Sequence, residues 1–257
     1  PPEEPLESPA HHLREALEEL GPTFVKLGQI LSTRSDLLPE PFIEELRKLQ
    51  DSVLPVEWPL IREVLQEELG RPPEEVFASI DPQPIGSASL SQVHAAMLPD
   101  GTEVALKIQR PGIREIVETD LEILHDLAHL AQRTQMGELY DPETIAEDIA
   151  FTLLNELDYL REGRNAEQFR RNFADEPTVH IPKIYWEYTT PRLLVMERLQ
   201  GIKVDEVEAL RAAGHDTRQI ALNASRLIIK EVLEDGFFHA DPHPGNYLIE
   251  PDGRIGV

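Results

Sequence analysis

The sequence predicts an α+β chain in which helices come first, a small sheet follows and helices return. Three observations carry this expectation. Apolar residues recur at helical spacing through most of 11–70; a period-two stretch, EVALKIQ, follows a Pro99-Asp100-Gly101 turn; and helical periodicity resumes over 113–133, 142–173 and 220–233.

Residues 1–10, PPEEPLESPA, are too polar and Pro-rich to bury a face and read as a disordered lead-in. Leu13, Ala16, Leu17 and Leu20 then mark a first helix, which Gly21-Pro22 breaks. A second begins near Thr23, with Phe24, Leu27, Ile30 and Leu31 on one face, and a third is expected over 42–49 after Pro39 and Pro41. A fourth spans 59–70, with Gly70 as its C-cap and Pro72-Pro73 beyond. Two strands are expected, over 85–97 and 102–110. In the second, Val104, Leu106 and Ile108 share one face, and Ala105 and Lys107 the other. The stretch 142–173 reads as one helix carrying Glu156, Asp158 and Glu162. In such a helix Asp158 and Glu162, one turn apart, can share a face that Glu156 does not. RLLVMERLQG reads as a buried strand ending at a Gly turn. Residues 220–233 read as a helix running into FFHADPHPGNYLIE.

Composition narrows the function. With 257 residues, 40% of them hydrophobic, the chain can bury a large two-lobed core or two modest ones. A formal charge of −24 argues against nucleic acid, which rewards clustered Lys and Arg, and against electrostatic docking on anionic lipid. A phosphate-bearing ligand would need a local positive spot or a divalent cation. No apolar run has the length of a membrane span, and the Pro- and Glu-rich start does not read as a signal peptide. The absence of cysteine fits a reducing compartment, so a cytoplasmic location is expected.

Two segments bear chemistry. In PIGSASLSQV only small residues stand at Gly86, Ser87, Ala88 and Ser89, so the loop can lie close over a ligand with its N–H groups aimed at phosphate. It precedes a strand with a single lysine, Lys107. Each feature alone has a plainer reading, a tight turn and a snorkelling surface lysine. In HADPHPGN, Asp241 and Asn246 stand five apart, the interval between the catalytic aspartate and the metal-binding asparagine of kinase-type loops. There the aspartate orients the nucleophile or accepts its proton, and the asparagine carbonyl helps hold Mg²⁺. A rival reading has His239, Asp241 and His243 binding Zn²⁺ from one strand face, which Pro242 and Pro244 disfavour. A third is a polar turn without chemistry.

Several motifs, in order, resemble the UbiB/ADCK family of atypical kinases from about residue 24 to the end of the sequence. FVKLGQILSTRSDLLP resembles its KxGQ signature through Lys26, Gly28 and Gln29, and PIGSASLSQVHAA its alanine-rich nucleotide loop. EVALKIQRPG resembles its VAVKVQRPG strand, and NELDYLREGRNAEQF its ExD segment through Glu156 and Asp158. LLVMERLQG resembles its hinge and FFHADPHPGNYLI its catalytic loop. The resemblance implies a protein-kinase-like fold: a family-specific helical extension over 11–75, a small lobe with inserted helices over 76–200, and the start of a helical large lobe over 201–257. It implies Lys107 as the phosphate-contacting lysine paired with Glu162, Asp241 as the catalytic aspartate and Asn246 as a Mg²⁺ ligand. Nucleotide contacts would come from Gly86, Ser87, Ala88, Ser89, Ala105 and the hinge backbone at Met196 and Glu197. Glu156 and Asp158 would work with Lys26 and Gln29 of the extension.

Two departures bear on this. Gly86 and Ser87 stand where the family is richer in alanine, so a preference for ATP or ADP does not carry over. Residues 247–249 read as a strand right after the loop, and Asp252-Gly253 as the turn before a further strand over 254–257. The sequence ends there, before the Asp-Phe-Gly that kinases place next, so a fragment of a longer protein, inactive as it stands, is the expectation. The function implied is Mg²⁺-dependent nucleotide binding and ATP hydrolysis in support of ubiquinone or other isoprenoid-quinone metabolism, with membrane contact through parts outside this sequence. A small-molecule phosphotransferase resembling the choline or aminoglycoside kinases, and a non-catalytic nucleotide-sensing scaffold, are the alternatives.

Overall fold

A computed structural model describes residues 8–49, 54–134, 141–238 and 244–257. Four helices open it: α1 (Pro9–Leu20), α2 (Pro22–Leu31), α3 (Glu40–Leu46) and α4 (Trp58–Leu69). Each has Pro in its first turn, where a missing N–H leaves no bond unmade. Ser8 caps α1 by accepting from the His11 amide, so the helix begins inside the expected lead-in; residues 1–7 lie outside the described residues. Gly21, at φ 103°, supplies the corner between α1 and α2.

Two longer helices, α5 (Ile113–Gln132) and α6 (Pro142–Glu156), share a core with the opening ones. Leu17, Leu27, Leu46, Val117, Leu121 and Leu153 meet there. Gly28 lies among them: a Cβ at this position would collide with Leu49 Cδ1 and stand 2.9 Å from Leu17 Cδ1. The glycine of the KxGQ-like segment is therefore a packing requirement of α2.

The first sheet has strand order β1-β2-β3-β5, all antiparallel, from β1 (Ser79–Ser87), β2 (Ser91–Met97), β3 (Glu103–Gln109) and, beyond β4 (Val179–His180), β5 (Leu193–Glu197). β3 alternates as expected: Val104, Leu106 and Ile108 are fully buried with Ile61 and Leu65 of α4, and Ala105 and Lys107 take the other face. The strand expected over 85–97 is corrected to two, because β1 ends at Ser87 and β2 starts at Ser91. β1 also reaches back to Ser79 through Pro82 and Pro84. Prolines argue against a central strand, but β1 is an edge, and register shifts on either side of Pro84 absorb it.

The helix expected over 142–173 is likewise two, α6 and α7 (Tyr159–Asn172). The chain turns at Leu157, whose side chain enters the core of the opening helices. Asp158 then restarts the helix as its N-cap, accepting from the Arg161 amide at 2.9 Å. Asp158 and Glu162 are thus a cap and a first-turn residue of α7, not two members of one continuous helical face.

A second sheet of order β4-β8-β7-β6 adds β6 (Ile202–Lys203), β7 (Leu248–Ile249) and β8 (Ile255–Gly256). Asp252-Gly253 forms the expected turn before β8, with Gly253 at φ 88°. Helices α8 (Val207–Ala212) and α9 (Thr217–Ile229) accompany this sheet, and Phe169, Leu210, Ile220, Leu227, Ile249 and Ile255 form its core. α9 runs on as a π-helical turn, Lys230–Asp235, closed by Gly236 at φ 59°.

Candidate active site

Lys107 stands within β3, opposite Val93 of β2 and Leu194 of β5. Glu162, in the first turn of α7, meets it with both oxygens, 2.7 and 2.8 Å from Nζ. The ring of buried Tyr159, three residues earlier on the same helix, lies 5.1 Å from the ammonium. Burial is the largest influence on Lys107 and on its own would lower the pKa. The Glu162 carboxylate, with help from Glu156, outweighs it and holds the group above the ordinary lysine value. Burial also pushes the Tyr159 hydroxyl up to about 12, so it stays neutral beside the Lys107 ammonium. The outcome is a charged lysine fixed by a carboxylate, with 27% of its side-chain surface still exposed. A phosphate-binding lysine needs both properties.

A second ion pair lies nearby. Lys26 of α2 meets Glu156, the last residue of α6, at 3.1 Å. Gln29, one turn along α2, donates to the Leu49 carbonyl at 3.4 Å. Asp158, expected to act with these residues, caps α7 and stands 3.8 Å from Arg164. Because Glu156 also acts electrostatically on Lys107, the two ion pairs share one neighbourhood.

The small-residue loop is tied down by a residue to which the sequence reading assigns no role. Arg110 Nε donates to the Ala88 carbonyl at 2.9 Å, and its Nη2 donates to Ser87 Oγ at 2.9 Å and to the Leu54 carbonyl at 3.0 Å. The Arg110 amide donates to the Leu90 carbonyl at 3.0 Å. Burial lowers the pKa of this guanidinium. Its place directly after the lysine strand, in KIQRPG, was the available signal. Ser89 is buried, so Gly86, Ser87 and Ala88 form the loop's accessible surface.

At the hinge, Ala105 pairs with Met196 and Val104 with Glu197. The Glu197 amide donates to the Lys183 carbonyl at 2.8 Å, and the Arg198 amide to the Glu103 carbonyl at 3.4 Å. The amides of Glu197 and Arg198 are thus both engaged within the chain. His180 of β4 was also missed, since a two-residue strand leaves no periodic signal. Its ring meets Glu197 at 3.3 Å and Glu250, just after β7, at 2.9 Å, joining the hinge to the second sheet. Asn246 ends a single 3₁₀ turn, Pro244–Asn246, and is exposed. Asp241, His239 and His243 lie outside the described residues. Among the described residues, no group of three His, Asp or Glu side chains could hold a metal ion, and no helix is long and apolar enough to cross a membrane.

Comparison with known proteins places this arrangement. The family model for the ABC1 atypical kinase-like domain matches residues 48–257. A "Probable protein kinase UbiB" of Marinobacter nauticus is 44% identical over 96% of this chain and 45% of its own length. The chloroplastic "Protein ACTIVITY OF BC1 COMPLEX KINASE 7" of Arabidopsis thaliana is 41% identical over 96% of the chain and 35% of its own. The chain thus spans less than half the length of these curated relatives. Among solved structures, the complex of Rv3197 with erythromycin from Mycobacterium tuberculosis superposes with a TM-score of 0.67 at 30% identity, covering 94% of this chain and 61% of that one. With four-fifths of its length inside the family model and the lysine–glutamate pair joining sheet to helix, the chain has a protein-kinase-like fold and belongs to the ABC1 (UbiB/ADCK) family of atypical kinase-like proteins.

Proposed function

We propose that this chain is the nucleotide-binding portion of a Mg²⁺-dependent atypical kinase or ATPase that supports ubiquinone or other isoprenoid-quinone metabolism on the cytoplasmic side of a membrane. The observation that carries the reading is the Lys107–Glu162 pair, a cation held in place and partly exposed beside a small-residue loop. These residues fit ATP or ADP: Lys107 would meet the phosphates, and the backbone of Gly86, Ser87 and Ala88, steadied by Arg110, would lie over them. Ala105 and Met196 would flank the base, with the Glu197 carbonyl at its edge. Asn246 would offer its side-chain carbonyl to Mg²⁺, which when bound neutralises phosphate charge. Asp241 would orient the attacking water or hydroxyl. Lys26 and Glu156 would hold the helical extension against the site.

A second reading, transfer of phosphate to a bulky small molecule, is favoured by the macrolide in the Mycobacterium tuberculosis complex. Phosphate release from Mg²⁺–ATP by the full-length protein decides between them. Turnover raised by vesicles carrying an isoprenoid phenol, and abolished in Asp241→Asn, supports the first reading. Turnover that appears only with a soluble acceptor, leaving a phosphorylated product, supports the second. No turnover under either condition removes both and leaves a nucleotide-sensing scaffold.

A further inference from the structure

α5 buries one face, through Ile113, Val117, Leu121 and Ala128, and leaves a second apolar stripe outside. Ile116, Ile123, Leu127 and Leu130 recur at intervals of seven, four and three, which sets them in one line along the helix. They are 45, 48, 54 and 61% exposed. Isolated surface aliphatics are ordinary, but four aligned on one helix are an interaction feature. The stripe is continuous with a cleft of about 280 Å³ where Leu127, Leu124 and Ala131 face Leu31 at the end of α2, Leu38 beyond it and Ile145 of α6. The cleft could seat one or two large aliphatic side chains.

Charge limits what can cover this surface. By helical geometry Glu115, Glu122 and Asp126 line the flank away from the cleft, and Asp120 falls between stripe and cleft. Among the described residues none of these four forms an ion pair; Arg114 pairs with Glu118 at 3.5 Å, and Arg133, which ends the helix on the acidic flank, meets His129 at 2.8 Å. A second copy would bring the same acids against these, and anionic lipid would be repelled by them and by a chain of net charge −24. We propose that the α5 stripe and its cleft are a docking groove for a basic amphipathic helix of a partner protein, one with aliphatic residues along a seam flanked by Lys and Arg.

The test uses full-length protein and three labelled helical peptides of about five turns, with Leu along one seam and Lys, Gln or Glu beside it, followed by fluorescence anisotropy. The Lys peptide is expected to bind roughly tenfold or more tighter than the Gln peptide, and the Glu peptide not at all. Ile123→Glu/Leu130→Glu is expected to abolish binding, although it adds two negative charges. Diffuse attraction between a basic peptide and an acidic protein would respond in the opposite sense. Glu122→Lys/Asp126→Lys, on exposed positions, is expected to transfer the preference to the Glu peptide. Lys-peptide binding that survives Ile123→Glu/Leu130→Glu with an unchanged thermal midpoint overturns the proposal. So does stripe-dependent binding of phosphatidylcholine vesicles with no peptide binding, or a stripe-dependent dimer.

Discussion

The Lys107–Glu162 pair predicts an asymmetry between its two partners. Glu162→Gln leaves an ammonium whose largest environmental influence is burial, with the compensating charge removed. An orphaned buried charge costs about 3–5 kcal/mol and a fully exposed pair about 0–1. With 27% of Lys107 and 37% of Glu162 side-chain surface exposed, this pair lies between those limits. A loss of about 2 kcal/mol is therefore expected for Glu162→Gln, roughly 4–8 °C in the midpoint of a chain of this size. Lys107→Met keeps the apolar stem over Tyr159 and leaves a carboxylate that can rehydrate, so its cost should stay below about 1 kcal/mol. The double variant should lose less than the sum of the two single losses. Because the Lys107 pKa is raised in the folded wild type, its contribution is fully present below about pH 10 and is lost only above that. In Glu162→Gln burial acts unopposed and lowers the lysine pKa, so the penalty of that variant should shrink as pH rises from neutral toward about 10. Urea unfolding of the four proteins measures it. Equal losses for the two single variants, or strict additivity, would refute the picture of a desolvated lysine neutralised by one carboxylate.

Three other outcomes follow from the packing. Gly28→Ala forces a Cβ against Leu49 and Leu17 and should destabilise by about 1–3 kcal/mol, despite alanine's better helix propensity; a gain in thermal midpoint would show that α2 has room. Asp158→Ala should cost about 1 kcal/mol as a lost cap, with Asp158→Asn restoring most of it; if neither change alters the urea midpoint, the cap carries no weight. Tyr159, pushed up to about 12 by burial, adds stability that is present below pH 10 and lost as pH rises through 12. Tyr159→Phe should therefore gain stability relative to wild type as pH rises from about 8 to about 11, where the unfolded tyrosine ionises and the buried one does not; a difference that stays constant over that range contradicts burial as the cause.

Where one physical signal dominated, the sequence was readable. The alternation of β3 is clear because Val104, Leu106 and Ile108 fill one apolar core, so Lys107 could be placed on the opposite face from EVALKIQ alone. Gly21, Gly70 and Gly253 each marked a chain reversal because each adopts positive φ, which other residues avoid. Competing signals misled where tertiary context won. Pro82 and Pro84 masked β1 because an edge strand tolerates missing donors, and Leu157 looked like one more helical apolar residue although burying it bends the chain. The second sheet was legible in part: β7 and β8 fall where strands were expected, whereas β4 and β6 were not read, since two-residue strands are shorter than one alternation and are defined by partners as far as 76 residues away, as in the pairing of Val179 with Ile255. At the site, the lysine–glutamate contact came from family resemblance rather than spacing, because the two residues lie 55 apart in the chain. Arg110 and His180 act through carbonyls and carboxylates that only the folded chain brings near.

The central claim is that Lys107 marks a nucleotide site. Titration calorimetry of the full-length protein with Mg²⁺–ATP and Mg²⁺–ADP, wild type beside Lys107→Met, tests it most directly. Saturable binding of at least one nucleotide to wild type, weakened roughly tenfold or more in Lys107→Met as loss of a charge-assisted phosphate contact requires, is the expected result. Equal binding by both proteins, or no nucleotide binding while Zn²⁺ binds stoichiometrically, would contradict it.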